Sequence, residues 1–400
     1  MLFGMLVALS GYASVRDTPF KQDVAVRIPL APELAGAQFT KLAVTGDGIV
    51  YVLTSAGVAR VYDRQLALDR SFRPLAGKKP RDIFQANQNL YYLYEDRWLS
   101  NDDTGKPQGL LPSNEFRQLA VSRQGTVLTA GATVCLLYDS KGRQPLGLPE
   151  ELKVVPYRVY ADGTRFYLLS DRSIYAWDGQ WKSIHQGTNL TCLAFRDAEI
   201  LVGTQDGFYG IDHLSGQTIT PPQTWLPVTS ITCIRPVSDG LWVGTSRGLF
   251  FQRSRPAASP ALPDGPHGIR YYASQRWLVD DQVLDLDLDL DPEGHLWALT
   301  RTGLNKIEFR LMTLAEKAEY FDRKIRQRHI RFGFSAERRL PVAGDIASGE
   351  MIDTDNDGGW SSNYLAGQAF RYAVTRNEKA RQNAWQTFAA LERLQSINPL

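Results

Sequence analysis

The residue types best suited to chemistry gather in a few short stretches. The first is Asp353-Thr354-Asp355-Asn356-Asp357-Gly358, a D-x-D-x-D-G run. It matches the opening half of an oxygen-ligand calcium loop, in which alternate carboxylates converge and the glycine makes the sharp bend. Tyr364 stands where such a loop needs its bidentate glutamate, so a helix–loop–helix calcium site is excluded. Three readings stay open. The acids could form a looser calcium site that borrows Glu350 or Asp345. They could polarise the N-terminus of the helix that follows, favourable by ~0.3–1 kcal/mol each. They could also face a substrate, with Trp360 as a stacking platform. Acid–base work needs two carboxylates in different environments, which spacing does not reveal. No catalytic residue is therefore assigned, and Asp353, Asp355 and Asp357 are the only candidates.

The second stretch crowds Tyr271, Tyr272, Arg276, Trp277, Asp280 and Asp281 into eleven residues. An aromatic ring suits the apolar face of a sugar, and carboxylates with an arginine suit its hydroxyls. Together with Trp360 these residues are the ligand-binding candidates. The alternative is that Trp277 and the tyrosines only pack. A third group, Asp285, Asp287, Asp289 and Asp291, alternates with leucines. Four carboxylates on one side of a strand cannot all be buried unpaired. They must meet arginines of a neighbouring element, line a wet channel or hold a cation.

Other chemistry is absent from the pattern. No nucleophile elbow, phosphate loop, zinc spacing or cysteine–histidine arrangement occurs, and His185 and His213 lie apart from other ligand types. Cys135, Cys192 and Cys233 fall in separate predicted strands, which predicts buried free thiols. The formal charge of +2 in 400 residues leaves no field for nucleic acid or an anionic membrane. The chain as it stands is expected to bind and not to catalyse.

The elements that position these groups are strands. From Val283 to Asp291 the side chains alternate with period two, Pro292-Glu293-Gly294 supplies a turn, and His295–Thr300 and Leu304–Phe309 continue a meander. Weaker copies run over Leu42–Asp63, Arg81–Leu99, Phe116–Asp139, Tyr157–Trp177, Leu190–Asp212 and Ile231–Phe251. The residues closing each second strand are Thr54, Tyr94, Ala130, Ser170, Thr204, Thr245 and Thr300, at spacings of 34 to 55. Propeller blades repeat at ~40–50. The fold class is therefore mainly β: a β-propeller of about seven blades over residues 23–309, followed by a small α-helical segment. The last repeat lacks a fourth strand, and Asp23–Ile28 is a strand without a repeat, so the N-terminal strand is expected to complete the last blade and leave no open edge. Tyr91, Tyr92, Trp98, Tyr157, Tyr160, Trp177, Trp181 and Trp225 are expected to fill the space between blades.

LDPEGHLWALTRTGLNKIEF and SDGLWVGTSRGLFF resemble the repeat of the two-component-regulator propellers. That resemblance implies an extracytoplasmic ligand-sensing propeller, often for glycan fragments. After Arg310 the pattern turns helical. Thr313-Leu314-Ala315-Glu316 reads as a capping box. Leu314, Ala318, Phe321, Ile325 and Phe332 read as one apolar face, Trp360–Val374 as a buried helix, and a third helix from Thr375 presents Ala380, Ala384, Phe388 and Leu391 inward. SNYLAGQAFRYAVTRNEKARQNAWQTFAALERL resembles the opening helices of an α/α-toroid, as in many glycan-active enzymes. That resemblance implies that residues 310–400 are an incomplete toroid, with a missing C-terminal part or a protein partner on the exposed face.

Residues 1–13 read as a signal or anchor segment, short of the ~20 apolar residues of a membrane span. They predict a periplasmic or secreted protein with no membrane span in the mature chain. The leading function is a sensor propeller for a saccharide or oligosaccharide, with no cofactor unless the acidic loop takes calcium. The alternatives are the N-terminal part of a carbohydrate-active hydrolase or lyase, and a protein-binding scaffold.

Overall fold

The structure, a computed structural model, describes residues 17–75, 77–102, 108–163, 165–254, 268–289, 294–342 and 345–397. The proposed leader 1–13 and Asp291 lie outside the described residues. Two compact units emerge. One is Asp23–Phe309, and the other joins the residues up to Gln22 with those from Arg310 onward.

The larger unit is a seven-bladed β-propeller of four-stranded antiparallel sheets. From innermost to outermost strand, blade 1 runs from Phe39–Val44 to Gln65–Leu68, blade 2 from Asp82–Ala86 to Gln108–Leu110, and blade 3 from Gln118–Val121 to Gly142–Gly147. Blade 4 runs from Arg158–Asp162 to Trp181–Gln186, blade 5 from Leu190–Arg196 to Thr218–Gln223, and blade 6 from Ile231–Val237 to Ile269–Tyr272. Blade 7 takes Val283–Leu288, Leu296–Thr300 and Gly303–Met312 from the last repeat, and Phe20–Ile28 is its outermost strand. The ring is thus closed by the first strand of the chain, as the missing fourth strand implied.

The markers that revealed the repeat have a shared physical role. The four threonines among them close the second strand and tie the turn to the third. Thr54, Thr204, Thr245 and Thr300 donate their hydroxyls to the carbonyls of Gly57, Gly207, Gly248 and Gly303 at 2.6–2.9 Å. Thr54, Thr204 and Thr245 also accept the amide two residues on. A buried hydroxyl that both donates and accepts has its donor and one of its two acceptor sites in use. Gly57, Gly207 and Gly248 have φ of 135°, 121° and 91°, which suits glycine and little else.

Blades bury one another face to face. Trp242, Leu249, Phe251 and Tyr272 of blade 6 pack on Val283, Leu286, Ala298 and Ile307 of blade 7. Trp297, Leu299 and Leu304 of blade 7 pack on Leu42, Val44, Val50 and Val52 of blade 1, with Ile28. Each fully buried large side chain stabilises by ~1.5–3 kcal/mol. The aromatics behave as inter-blade filler with one exception: Trp225, expected to pack, is 85% exposed. It sits between blades 5 and 6, where no apolar surface covers it. The three thiols are free, Cys135 and Cys192 buried and Cys233 half-buried.

The smaller unit contains α1 (Leu314–Arg328), α2 (Asp357–Thr375) and α3 (Glu378–Ile397), with two short hairpins between the first two. The capping box forms: Thr313 Oγ1 accepts from the Glu316 amide at 3.2 Å and Glu316 accepts from the Thr313 amide at 2.8 Å. The expected apolar faces do not form the centre. Leu314, Phe321 and Phe332 are exposed, as are Trp360, Phe370 and Val374 of the helix expected to be buried, and Phe388 of α3. The buried residues of the three helices are Asp322, Ser361, Tyr364, Gln368, Ala380, Asn383, Thr387 and Ala390, of which Ala380 was expected to face inward. The reason is a polar knot. The Asp322 carboxylate accepts from Tyr364 Oη at 2.7 Å, Gln368 Nε2 at 2.9 Å, Asn383 Nδ2 at 3.2 Å and Arg371 Nη1 at 3.5 Å. A buried charge requires such partners, so it sets the rotation of all three helices against hydrophobic periodicity.

Candidate ligand-binding site

An innermost propeller strand has a paired neighbour on one side only, so the amides on its other edge need another acceptor. At three seams side chains of the preceding blade provide it. Asp285 Oδ2 accepts from the Leu42 amide at 3.0 Å and Asp287 Oδ2 from Val44 at 2.8 Å, joining blade 7 to blade 1. Asp82 Oδ2 accepts from Leu119 at 2.9 Å, and Gln118 Oε1 from Val159 at 3.1 Å. Lys41, Asp82, Arg158, Cys192, Cys233 and Asp285 occupy one register position, each opposite the residue before the repeat marker. Gln118 supplies the corresponding bridge from blade 3. Lys41 reaches Asp82 at 2.9 Å.

The described aspartates of the row, Asp285, Asp287 and Asp289, are thereby given partners. Asp287 also pairs with Arg235 of blade 6, and Asp289 pairs with Lys306 of its own blade at 2.6 Å. Asp285 is the strained member. Lost hydration pushes its carboxyl up to about 6, with the nearby Asp287 adding, while the Leu42 amide, Lys41 and Arg235 oppose. Burial also holds the Cys192 thiol up at about 11, and raises Cys233, next to Asp285, well above its ordinary range. Such thiols are protonated and unreactive near neutral pH. Gly203 and Gly244 lie opposite them, and a Cβ at either would sit 2.5 Å from the sulfur.

The predicted ligand residues lie at one end of the strands. In an up-and-down meander the turn between second and third strands and the connection leaving the fourth strand share a face of the ring. Tyr271 and Tyr272 belong to the outermost strand of blade 6 and not, as the sequence suggested, to the loop entering the next blade. Strand pairing with Leu249 and Phe250 claims them. Tyr272 is buried and donates to Asp23 at 2.7 Å. Its ring meets Trp277 edge-on at 4.9 Å. Asp281 accepts from the Ser274 amide at 2.6 Å, and Asp280 accepts from the Gln282 amide at 2.8 Å and from Arg301 at 3.0 Å. These contacts lace the connection 273–282 into a fixed shape. Tyr271, 42% exposed, donates to the Arg247 carbonyl. Exposed Arg276 lies 5.3 Å over the Trp277 ring. The groups left facing solvent are thus Tyr271, Arg276 and part of Trp277. Trp225, on the preceding connection of the same face, is an exposed aromatic that its lone position in a polar turn segment did not disclose.

In the helical unit the acidic loop is divided among separate partners. Asp353 pairs with Arg331, Asp357 accepts from Thr354 Oγ1 at 3.1 Å, and Asp355 is exposed. Asp357 opens α2, and Trp360, half exposed, lies in its first turn. Among the described residues no three His, Cys, Asp or Glu side chains come together to hold a metal ion.

Comparison with known proteins fits this geometry at the level of fold. No family model and no curated protein matches the chain. Solved structures do. The extracellular domain of a hybrid two-component system from B. thetaiotaomicron aligns with a TM-score of 0.52 and 12% identity, over 71% of this chain and 39% of that one. Virginiamycin B lyase from Staphylococcus aureus, an inactive form with quinupristin, aligns at 0.53 and 10% identity, over 72% and 99%. The WD40 domain of Neurospora crassa Pan2 aligns at 0.53 and 13%, over 74% and 97%. The chain spans about two-fifths of the extracellular-domain chains it matches. A two-component extracellular domain, a lyase and a WD40 domain share only the ring, so the likeness establishes the fold and not the activity. No described helix is long and apolar enough to cross a membrane.

Proposed function

We propose that the propeller is an extracytoplasmic ligand-recognition module of the sensor type, and that its ligand is a saccharide bound on the face formed by connections 224–230 and 273–282. The observation that carries this reading is the fixed, laced connection that leaves Tyr271, Arg276 and Trp277 facing solvent beside blade 6. Preorganised aromatic groups bind with little ordering cost, and an aromatic plane beside a guanidinium suits a sugar ring with its hydroxyls. The repeat sequence of blades 6 and 7 and the fold shared with a two-component extracellular domain support the extracytoplasmic setting. The test is titration calorimetry of the full chain with a panel of neutral and acidic oligosaccharides. Saturable binding that Trp277→Ala abolishes supports the site, and binding unaffected by Trp277→Ala and Tyr271→Ala removes it.

A second reading is favoured by one observation. Asp355 is exposed close in sequence to the half-exposed Trp360, an arrangement suited to a substrate-facing acid in a glycan-active helical domain. Hydrolysis or elimination of a polysaccharide by the chain, lost in Asp355→Asn, would establish it.

A further inference from the structure

A cavity of about 600 Å³ opens between blades 1 and 2, lined largely by the connection leaving blade 1 and the turn at Asp96, on other blades than the connection just described. Its volume falls within the ~300–1,000 Å³ of small-molecule sites. Phe72, Pro74, Tyr94 and Leu99 give it an apolar floor, and Arg73 and Lys78 stand at its rim. The Phe72 ring is held flat: it stacks on buried Tyr92 at 4.9 Å with 16° between planes. Tyr94 is fixed by donating to the Pro74 carbonyl at 3.4 Å. One rim cation, Arg97, is already neutralised by Asp96 at 2.8 Å. Arg73 and Lys78 are exposed and form no ion pair among the described residues. The cavity's cations, Arg73, Lys78 and Arg97, outnumber its carboxylates, Asp96 and Asp102, so an open aromatic face beside them is complementary to a planar apolar ring that carries negative charge.

We propose that this cavity binds a small aromatic carboxylate, with its ring laid on Phe72 and its carboxylate held by Arg73 and Lys78. A bare saccharide fits the apolar floor poorly, and a neutral arene leaves the cations unused. The site is independent of the saccharide reading, since it shares no residue with the connection 273–282.

The test is titration calorimetry of the full chain with naphthalene-2-carboxylate and with the neutral 2-naphthol. The carboxylate should bind saturably with one site and in preference to the naphthol. The double variant Arg73→Gln, Lys78→Gln changes only exposed side chains and should keep the wild-type melting curve. It should weaken the carboxylate by roughly tenfold, as expected for two exposed charge contacts, and leave the naphthol unchanged. Phe72→Leu should weaken both. No saturable binding of the carboxylate, or an affinity that the double variant leaves intact, overturns the proposal.

Discussion

Replacing Asp285 by asparagine should change how stability depends on pH, in a direction the clasp between blades 7 and 1 dictates. The carboxyl is pushed up to about 6, from an ordinary value of 3.8. A folded value above the unfolded one means that the folded chain holds the proton more tightly. The stabilisation is complete below about pH 4 and is lost as pH rises through about 6. Each unit of displacement is worth ~1.4 kcal/mol, so the pH-dependent part is on the order of 1–3 kcal/mol, with the upper figure a ceiling because the residue is only partly buried. Asparagine keeps the shape and a carbonyl for the Leu42 amide, but cannot ionise. Its own fixed cost, from an amide NH₂ near the Leu286 amide that Asp285 also accepts at 2.9 Å, does not vary with pH. The assay is denaturant unfolding of the propeller at a series of pH values from 4 to 8, followed by tryptophan fluorescence. The difference between variant and wild type should move in favour of the variant as pH rises through 6, then level off. A difference that is flat across that range, or that moves the other way, refutes the assignment of a desolvated carboxyl at the clasp.

Other perturbations follow from the same geometry. Asp322→Leu leaves Tyr364, Gln368, Asn383 and Arg371 without their acceptor, and should cost the helical unit ~3–5 kcal/mol, seen as loss of its cooperative helical melting by circular dichroism. Thr245→Val removes a buried hydroxyl that serves both Gly248 and Arg247, and should cost ~1–3 kcal/mol in urea unfolding. Gly203→Ala forces a methyl against the Cys192 sulfur and should cost ~1–3 kcal/mol, part of which Cys192→Ala restores in the double variant. With Asp353 held by Arg331 and Asp357 by Thr354, the loop 353–357 should give no shift of melting temperature on adding calcium or chelator, and a calcium-dependent rise lost in Asp355→Asn would instead establish a cation site.

Much of the propeller was legible because its determinants are local and repeated. The alternation of Leu284 to Asp289, the turn glycines and the threonine markers all report short-range hydrogen bonding, so spacing alone located the blades and the unpaired strand that closes them. The outer strands were harder to see. Ile269–Tyr272 is short and follows a proline-rich segment, so Tyr271 and Tyr272 read as loop residues. Exposure of Trp225 depends on what lies across a gap between blades, which no local pattern records. The helices misled for a different reason. Periodicity assumes that apolar residues seek the centre, whereas the buried charge of Asp322 demands donors from α2 and α3 and turns Phe321, Phe370 and Phe388 outward. The partners of the aspartate row were likewise out of reach, because Leu42 and Val44 lie more than two hundred residues from Asp285 and Asp287 in sequence.

Hydrogen exchange of the full chain with and without a bound oligosaccharide tests the proposed recognition face most directly. Slowed exchange confined to the connections 224–230 and 273–282 and the adjoining turn at Arg247 is the result predicted. Protection located instead in the helical unit, or on the opposite face of the ring, would contradict it.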